Sequence, residues 1–202
     1  MSLRPRHALA AVALVLGACS ILPKTVSPDI YLLPATPTTA SSATTRLDWS
    51  LRVDTPQAGH AIDSPRIAVV PSGDVITVYE GARWSDRAPV LLRNRLLDAF
   101  RADGRFTAVS SDDANLYADV ELSGDLLAFQ TDYENGSPVV VIRYDAQLVQ
   151  VRTQKILATH RFDIRQPVAG KEVPQVVAAF GQASDQLAAQ TIGWISTLRS
   201  GS

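Results

Sequence analysis

The residue best suited to chemistry in this sequence is its single cysteine, Cys19, because its thiol can be covalently modified. Cys19 follows nine uninterrupted apolar residues (8–16) and two small residues, Gly17 and Ala18. One thiol excludes an intramolecular disulfide and a zinc cluster built from several cysteines. Free cysteines are commonly buried in cores, but a cysteine directly behind an apolar leader has no fold around it. Its position therefore favours modification.

Other residues that could support catalysis are scarce. The sequence contains no GxxxxGK[ST] phosphate loop, no GxSxG elbow and no HExxH zinc motif. His60 lies in a Pro/Gly/Asp segment that predicts a loop, whereas His160 alternates with apolar residues and is predicted to be a core histidine. Asp112 and Asp113 precede a predicted strand and are interpreted as capping or ending it. We therefore expect no enzyme activity, no metal site and no bound cofactor.

The N-terminus has the architecture of a lipoprotein signal peptide. A short basic stretch precedes the apolar residues, which in a helix would reach about 14 Å, roughly half of a bilayer's hydrocarbon core. The end of this stretch resembles the lipobox of bacterial lipoproteins. The resemblance implies removal of residues 1–18 and attachment of a diacylglycerol and an N-acyl chain to Cys19, and Ser20 in place of aspartate implies the outer membrane. The lipobox residues are Leu16, Gly17, Ala18 and Cys19.

Composition places the rest of the chain among ordinary globular proteins. Of 202 residues, 46% are hydrophobic and 19% are charged, so the chain can bury a core. Nineteen Lys and Arg side chains against twenty Asp and Glu side chains give a net charge of −1. Because no excess of positive charge attracts a polyanion, we expect no nucleic-acid partner.

A flexible tether is predicted between the anchor and the folded domain. Residues 19–46 are rich in Pro, Thr, Ser and Ala, and residues 36–45 (TPTTASSATT) are of low complexity. Fully extended, this tether could reach about 90 Å. The apolar residues 30–33 (IYLL) within it are interpreted either as an edge strand or as a docking segment. The folded domain is predicted to cover residues 47–199.

Strands and a helix are predicted in the first half of this domain. Apolar and polar residues alternate in residues 47–53, which is the period of a half-buried strand. Two β-prone runs joined by a Pro-Ser-Gly turn follow between residues 67 and 79. A helix is then predicted to begin at an N-cap supplied by Ser85 or Asp86 and to end at Gly104.

The sequence of the second half of the domain predicts an antiparallel meander and a closing helix. Three long segments between residues 116 and 164 alternate in polarity, and Asn135-Gly136 is a hairpin-turn signal between the first two. A helix is predicted over residues 173–198. Together these elements predict an α+β fold, a two-layer domain with a mainly antiparallel sheet and two main helices packed on one face.

Two apolar residues of the meander are candidates for contact with a partner. After Gly124, Leu127 and Phe129 fall in register with polar residues of the same strand. Either Gly124 marks a bulge that resets the alternation, or Leu127 and Phe129 lie on the exposed face of the sheet. In the second case both belong to a contact patch.

The connection before the first helix holds two further candidates. Tyr79 and Arg83 lie there, and Tyr and Arg are enriched at protein interfaces. The competing interpretation places the aromatic residues in the core, where Trp84 would fix the entry into the helix. We predict that Trp84 is mainly a core residue and that Tyr79 and Arg83 are mainly interface residues.

Several features follow one another along the chain: a lipobox, the island Tyr31-Leu32-Leu33, a strand at 67–71 (IAVVP), the entry Trp84-Ser85-Asp86 into a leucine-rich helix, and a closing helix that ends near Trp194. In this order they resemble the ABC-type transport auxiliary lipoproteins, over residues 16–198. The resemblance implies a lipid-anchored outer-membrane protein that faces the periplasm. It further implies service to an MCE-type (mammalian-cell-entry) transport system, which moves lipids or other hydrophobic molecules between inner and outer membranes.

The implied partners are an MCE-domain periplasmic protein with its ABC permease and ATPase, and the membrane itself through the lipid anchor. A homo-oligomer is left open. A second class of function is an assembly or pilot lipoprotein of another cell-envelope complex. Both classes need an anchor, a tether and a protein-binding face, so the residues alone do not separate them, and the family resemblance favours transport.

Overall fold

The computed structural model describes residues 27–36 and 46–198, which form nine strands and two α-helices. The strands are β1 (Asp29–Tyr31), β2 (Leu47–Val53), β3 (Gln57–Ala58), β4 (Arg66–Ser72), β5 (Val75–Trp84), β6 (Phe106–Ser111), β7 (Val120–Glu134), β8 (Ser137–Gln150) and β9 (Lys155–Pro167), and the helices are α1 (Ala88–Asp103) and α2 (Val173–Thr197). This order confirms the predicted α+β class.

The described strands form one mixed sheet organised around the long strand β7. On one edge β7 pairs antiparallel with β8, which pairs antiparallel with β9. On its other edge β7 pairs in parallel with β2, β3 and β4, and β1 and β6 are also parallel to their neighbours. The predicted mainly antiparallel sheet is thus only partly correct. Tight turns enforce antiparallel pairing within hairpins, whereas longer connections permit the parallel pairs.

Local turn signals fix the hairpins. Asn135 and Gly136 adopt positive φ angles of 50° and 78°, as a tight turn between β7 and β8 requires. Gly104 ends α1 with a φ of 70°, and its N–H bonds back to the Phe100 carbonyl oxygen. The N-cap of α1 is Arg87 and not Ser85 or Asp86, and it makes no side-chain capping bond. Pro89 in the first turn, which needs no amide donor there, helps the helix to start.

The core lies between one face of the sheet and the two helices. Trp84 of β5 packs edge-on against Phe180 of α2, with ring centroids 5.2 Å apart. Phe129 of β7 lies 4.8 Å from the same phenylalanine ring. Helices and sheet therefore form the two predicted layers, and the opposite face of the sheet, which we call the open face, carries no helix within the described residues.

The N-terminal segment 27–36 is part of the folded unit. Strand β1 pairs in parallel with the end of β5, and the Ser85 N–H donates to the Tyr31 carbonyl oxygen at 2.8 Å. Beyond it, Pro34 packs so closely on α2 that an added Cβ at Gly181 would lie 2.8 Å from the Pro34 carbonyl oxygen. The Thr36 N–H then donates to an Asp185 carboxylate oxygen at 3.0 Å. The edge-strand alternative for the apolar island is therefore correct.

Candidate partner-binding surface

The end of β5 separates the predicted contact residues onto two faces. Ala68 pairs with Val78 and Arg66 pairs with Arg83, so one residue of β4 faces four residues of β5. This irregularity contains Gly81, whose φ of 67° turns the strand. Past it, Arg83 is exposed on the open face.

The next residue, Trp84, points to the helices and is only 1% exposed. Trp84 is thus a core residue, as predicted. Its ring contacts both Phe180 and Phe129, so it joins β5, β7 and α2 in one aromatic cluster.

Tyr79 packs against the core more than the interface prediction implies. Its side chain is half-buried and joins the hydrophobic cluster between the sheet and the helices. Burial raises the pKa of Tyr79 to about 12, so its hydroxyl stays protonated. Tyr79 therefore offers a partner only part of its surface.

The two apolar candidates on β7 differ because one of them, Leu127, is the extra residue of a bulge. The pairing with β8 shifts between Leu126, opposite Tyr144, and Ala128, opposite Arg143, so Leu127 is the extra residue. Leu127 is 47% exposed. Phe129 returns to the core and is 1% exposed, which overturns its prediction as a surface contact.

Gly124 has a different role from the predicted bulge. It pairs regularly with Ala146 and has a φ of 144°. An added Cβ would lie 2.0 Å from the Asp145 carbonyl oxygen. Glycine is needed at this position because the backbones of β7 and β8 approach closely there.

The histidines form no catalytic arrangement. His60 is exposed in a loop, as predicted. His160 is exposed as well, with its ring 5.7 Å from that of Trp194 and 4.5 Å from that of Phe162, so the prediction of a core histidine is wrong. It lies on the edge strand β9, on which burial begins only at Phe162.

The paired acids serve the fold. Asp112 and Asp113 form a short 3-10 turn and both bind the buried guanidinium of Arg93. Burial opposes ionisation of Asp112, but hydrogen bonds from Thr55 and the charge of Arg93 outweigh it and lower its pKa. Among the residues that the structure describes, no group of His, Cys, Asp or Glu could hold a metal ion.

The predicted anchor residues Leu16, Gly17, Ala18 and Cys19 lie outside the described residues. No helix in the described part of the chain is long and apolar enough to cross a membrane.

A mainly apolar cleft beside Leu127, which Gln57, Asp125 and Gln130 also line, is the best candidate for a protein contact. It has a volume of about 560 Å³ and lies between Leu127, Ile76 and the loop that follows β3. Ile76 is 39% exposed. Sequence reasoning missed Ile76, whose part in this surface depends on strand pairing.

Known proteins share both sequence and fold with this chain. Residues 31–191 match the family model of the ABC-type transport auxiliary lipoprotein component. The uncharacterized protein bll6063 of Bradyrhizobium diazoefficiens is 28% identical over 160 residues, which cover 79% of this chain and 42% of that protein. The chain therefore spans less than half the length of this relative.

Solved structures agree with this assignment. Protein XCC0632 from Xanthomonas campestris has a TM-score of 0.78 at 30% identity, covering 85% of this chain and 97% of that one. The hypothetical protein CT253 from Chlamydia trachomatis, at a TM-score of 0.51 and 6% identity over 74% of this chain and 96% of its own, shares the fold alone. Since the family model matches most of the chain, this protein belongs to the ABC-type transport auxiliary lipoproteins, a transport family and not an enzyme family.

Proposed function

We propose that this protein is a lipid-anchored auxiliary component of an MCE-type ABC transport system, which moves lipids or other hydrophobic molecules between the inner and outer membranes. Cys19 carries a diacylglycerol and an N-acyl chain, the outer membrane holds them, and the domain faces the periplasm. The observation that carries the proposal is the family match over residues 31–191. The lipobox ending at Cys19 supports the anchor.

The partner is an MCE-domain protein, and it binds the apolar cleft at Leu127. A bulged residue stands out of the strand ladder and presents its side chain to a partner at little cost to the sheet. Leu127 and Ile76 supply apolar surface there, and β3 with residues 59, 61 and 62 of the loop that follows it borders the cleft. Tyr79 and Arg83, which the sequence also suggested, do not line this cleft.

Co-purification with the MCE-domain protein tests the partner surface. Leu127→Asp places a charge in an apolar contact and is expected to reduce the recovered partner about tenfold, equivalent to roughly 1.4 kcal/mol. Leu157→Asp is the matched control, because Leu157 is 41% exposed on β9 and does not line the cleft. Unchanged recovery with Leu127→Asp, or equal losses with both variants, would contradict this surface.

Replacement of the cysteine tests the anchor. Cys19→Ser removes the thiol that accepts the lipid, so the variant is expected to leave the membrane fraction and to lack the mass of the acyl chains. Two or more acyl chains hold a protein firmly, at about 0.8 kcal/mol per buried methylene. A variant that stays membrane-bound at the wild-type mass would disprove lipidation at Cys19.

A further inference from the structure

Two arginines lie side by side on the open face of the sheet. Arg83 of β5 is the cross-strand neighbour of Arg66 of β4, and both are exposed. Within residues 27–36 and 46–198, neither guanidinium has a carboxylate within ion-pair distance. Like charges placed opposite each other destabilise a strand pair. An anion bound between Arg66 and Arg83 would relieve that repulsion.

Other arginines of the open face are already satisfied. Arg143 and Arg161 pair with carboxylates on the neighbouring strand, Asp163 at 2.8 Å and Asp145 at 2.6 Å. Arg165 pairs with Glu134. The unpaired arginines are therefore a local property of the β1–β5–β4 end and not of the face as a whole.

Apolar side chains lie next to the two arginines. Ile30 of β1 is the cross-strand neighbour of Arg83 and is 58% exposed. On the other side, Arg66 borders a cleft of about 320 Å³ that the half-buried Val78 also lines. Exposed apolar side chains beside arginines match the boundary between the headgroups and the acyl chains of a bilayer.

The docked N-terminal segment brings this end of the sheet near the anchor. Only nine residues separate Cys19 from Asp29, the first residue of β1. This connection of ten residue steps spans at most about 35 Å. A tether that reached Leu47 would have spanned about 90 Å. The connection from Cys19 therefore reaches the folded domain at β1, the strand that adjoins Arg83.

We propose that Arg66 and Arg83 bind anionic phospholipid headgroups of the membrane leaflet that holds the Cys19 lipid. The planar guanidinium donates two parallel hydrogen bonds to a phosphate, which makes it well suited to this ligand. Ile30 inserts beside them at the level of the headgroups. The proposal rests on the lipid anchor of the proposed function, and it gives Arg83 a membrane contact in place of the protein contact predicted from the sequence.

A fluorescent probe on lipidated protein reports this contact. The chain has one cysteine, which carries the lipid, so Ile30→Cys adds the only free thiol for an environment-sensitive dye. The protein is reconstituted in phosphatidylethanolamine vesicles with or without phosphatidylglycerol, and nitroxide-labelled headgroups serve as quenchers. A dye at Leu157→Cys is the reference, because Leu157 lies on β9, at the opposite edge of the sheet from β1. If the Ile30→Cys variant does not fold, Thr77→Cys replaces it, because Thr77 is exposed and lines the cleft that Arg66 borders.

Headgroup binding predicts strong quenching at position 30 in phosphatidylglycerol vesicles and weak quenching at position 157. Arg66→Gln with Arg83→Gln is expected to lower the equilibrium constant for contact about 30-fold, from about fivefold per arginine near an anionic surface. Arg101→Gln with Arg152→Gln removes the same charge from other exposed positions and is expected to change it less than about twofold. Equal quenching without phosphatidylglycerol, or in the Arg66/Arg83 variant, would overturn the proposal.

Two further measurements distinguish a soluble phosphate ligand, or a missing lipid anchor, from the proposed headgroup contact. Unlipidated chain from residue 19 with Cys19→Ser is titrated with inorganic phosphate while the arginine side-chain NMR signals are followed. Saturation below the millimolar range would assign the pair to a soluble phosphate and overturn the membrane assignment, and only weak, unsaturated shifts are expected. Loss of the anchor appears in the mass of the wild-type protein, whereas failure of the headgroup contact appears only in the quenching.

Discussion

Two pairs of arginines in this protein have opposite surroundings. Near the helices, Arg93 and Arg95 of α1 are 5% and 8% exposed, and each is bound by aspartate. At the β1–β5–β4 end of the open face, Arg66 and Arg83 are exposed and have no carboxylate partner in the part of the chain that the structure describes. The same residue type is a fixed structural element in one region and a free cation in the other.

Solvation explains the difference. A guanidinium removed from water costs several kcal/mol unless a carboxylate compensates it, so the arginines of α1 are stable only with their acids. An exposed guanidinium keeps its water and needs no partner. Free arginines are therefore tolerated only where solvent reaches them, and there they remain available for an external anion.

The largest expected effect separates two adjacent residues of β5. Trp84→Ala removes the centre of the aromatic cluster and should destabilise the domain by about 4 kcal/mol. Arg83→Ala, one residue earlier and on the open face, should change the free energy of unfolding by less than about 0.5 kcal/mol. Urea denaturation of both variants measures the contrast. Similar losses would mean that Arg83 is also a structural residue.

The second largest loss of stability is expected when a buried arginine loses the aspartate that pairs with it. Asp185 accepts a hydrogen bond from Arg95 Nε at 2.6 Å and another from the Thr36 N–H. Asp185→Ala leaves the Arg95 charge buried without a partner and should cost about 3 kcal/mol. Asp98→Ala is the matched control on α1, where the carboxylate is 71% exposed, and should cost less than about 0.5 kcal/mol. Equal melting temperatures for the two variants would contradict the distinction between paired and free arginines.

The smallest effect concerns an acid of the open face and depends on pH. Burial, followed by repulsion from Glu121, raises the pKa of Asp54 to about 6 despite its ion pair with Arg52. The native state then binds a proton more tightly than the unfolded state, so between pH about 4 and 6 stability falls as pH rises. Solvent access screens the effect to about 1 kcal/mol.

Asp54→Asn removes this titration. The difference in unfolding free energy between wild type and Asp54→Asn, measured from pH about 4 to 7, should grow in favour of the variant. A difference that is constant across this range would show that Asp54 titrates normally.

Local patterns were sufficient to predict most elements. The alternation of residues 47–53 and the turn signal at Asn135-Gly136 are set by neighbouring residues, and the structure has β2 and the β7–β8 turn at these positions. The same holds for the end of α1 at Gly104. These features succeed because the period of a strand and the φ of a turn residue do not depend on distant contacts.

The errors arise where pairing decides the outcome. Phe129 was assigned to the wrong face as one alternative because the position of the bulge depends on how β7 pairs with β8. His160 has the alternation of a core residue but lies where the helix layer leaves the edge strand exposed. The sequence did not predict a role for Arg66, because only the irregular pairing of β4 with β5 brings Arg83 beside it.

The sequence by itself determined the kinds of secondary structure and the apolar faces that build a core. The tertiary structure decided the parallel pairing of three strands along β7, the docking of residues 27–36 on α2, and which arginines have an acid. The physical reason is the separation along the chain over which each interaction acts. Hydrophobic period and turn geometry act over a few residues, whereas strand order and ion pairing join residues far apart in the chain, such as Arg95 and Asp185.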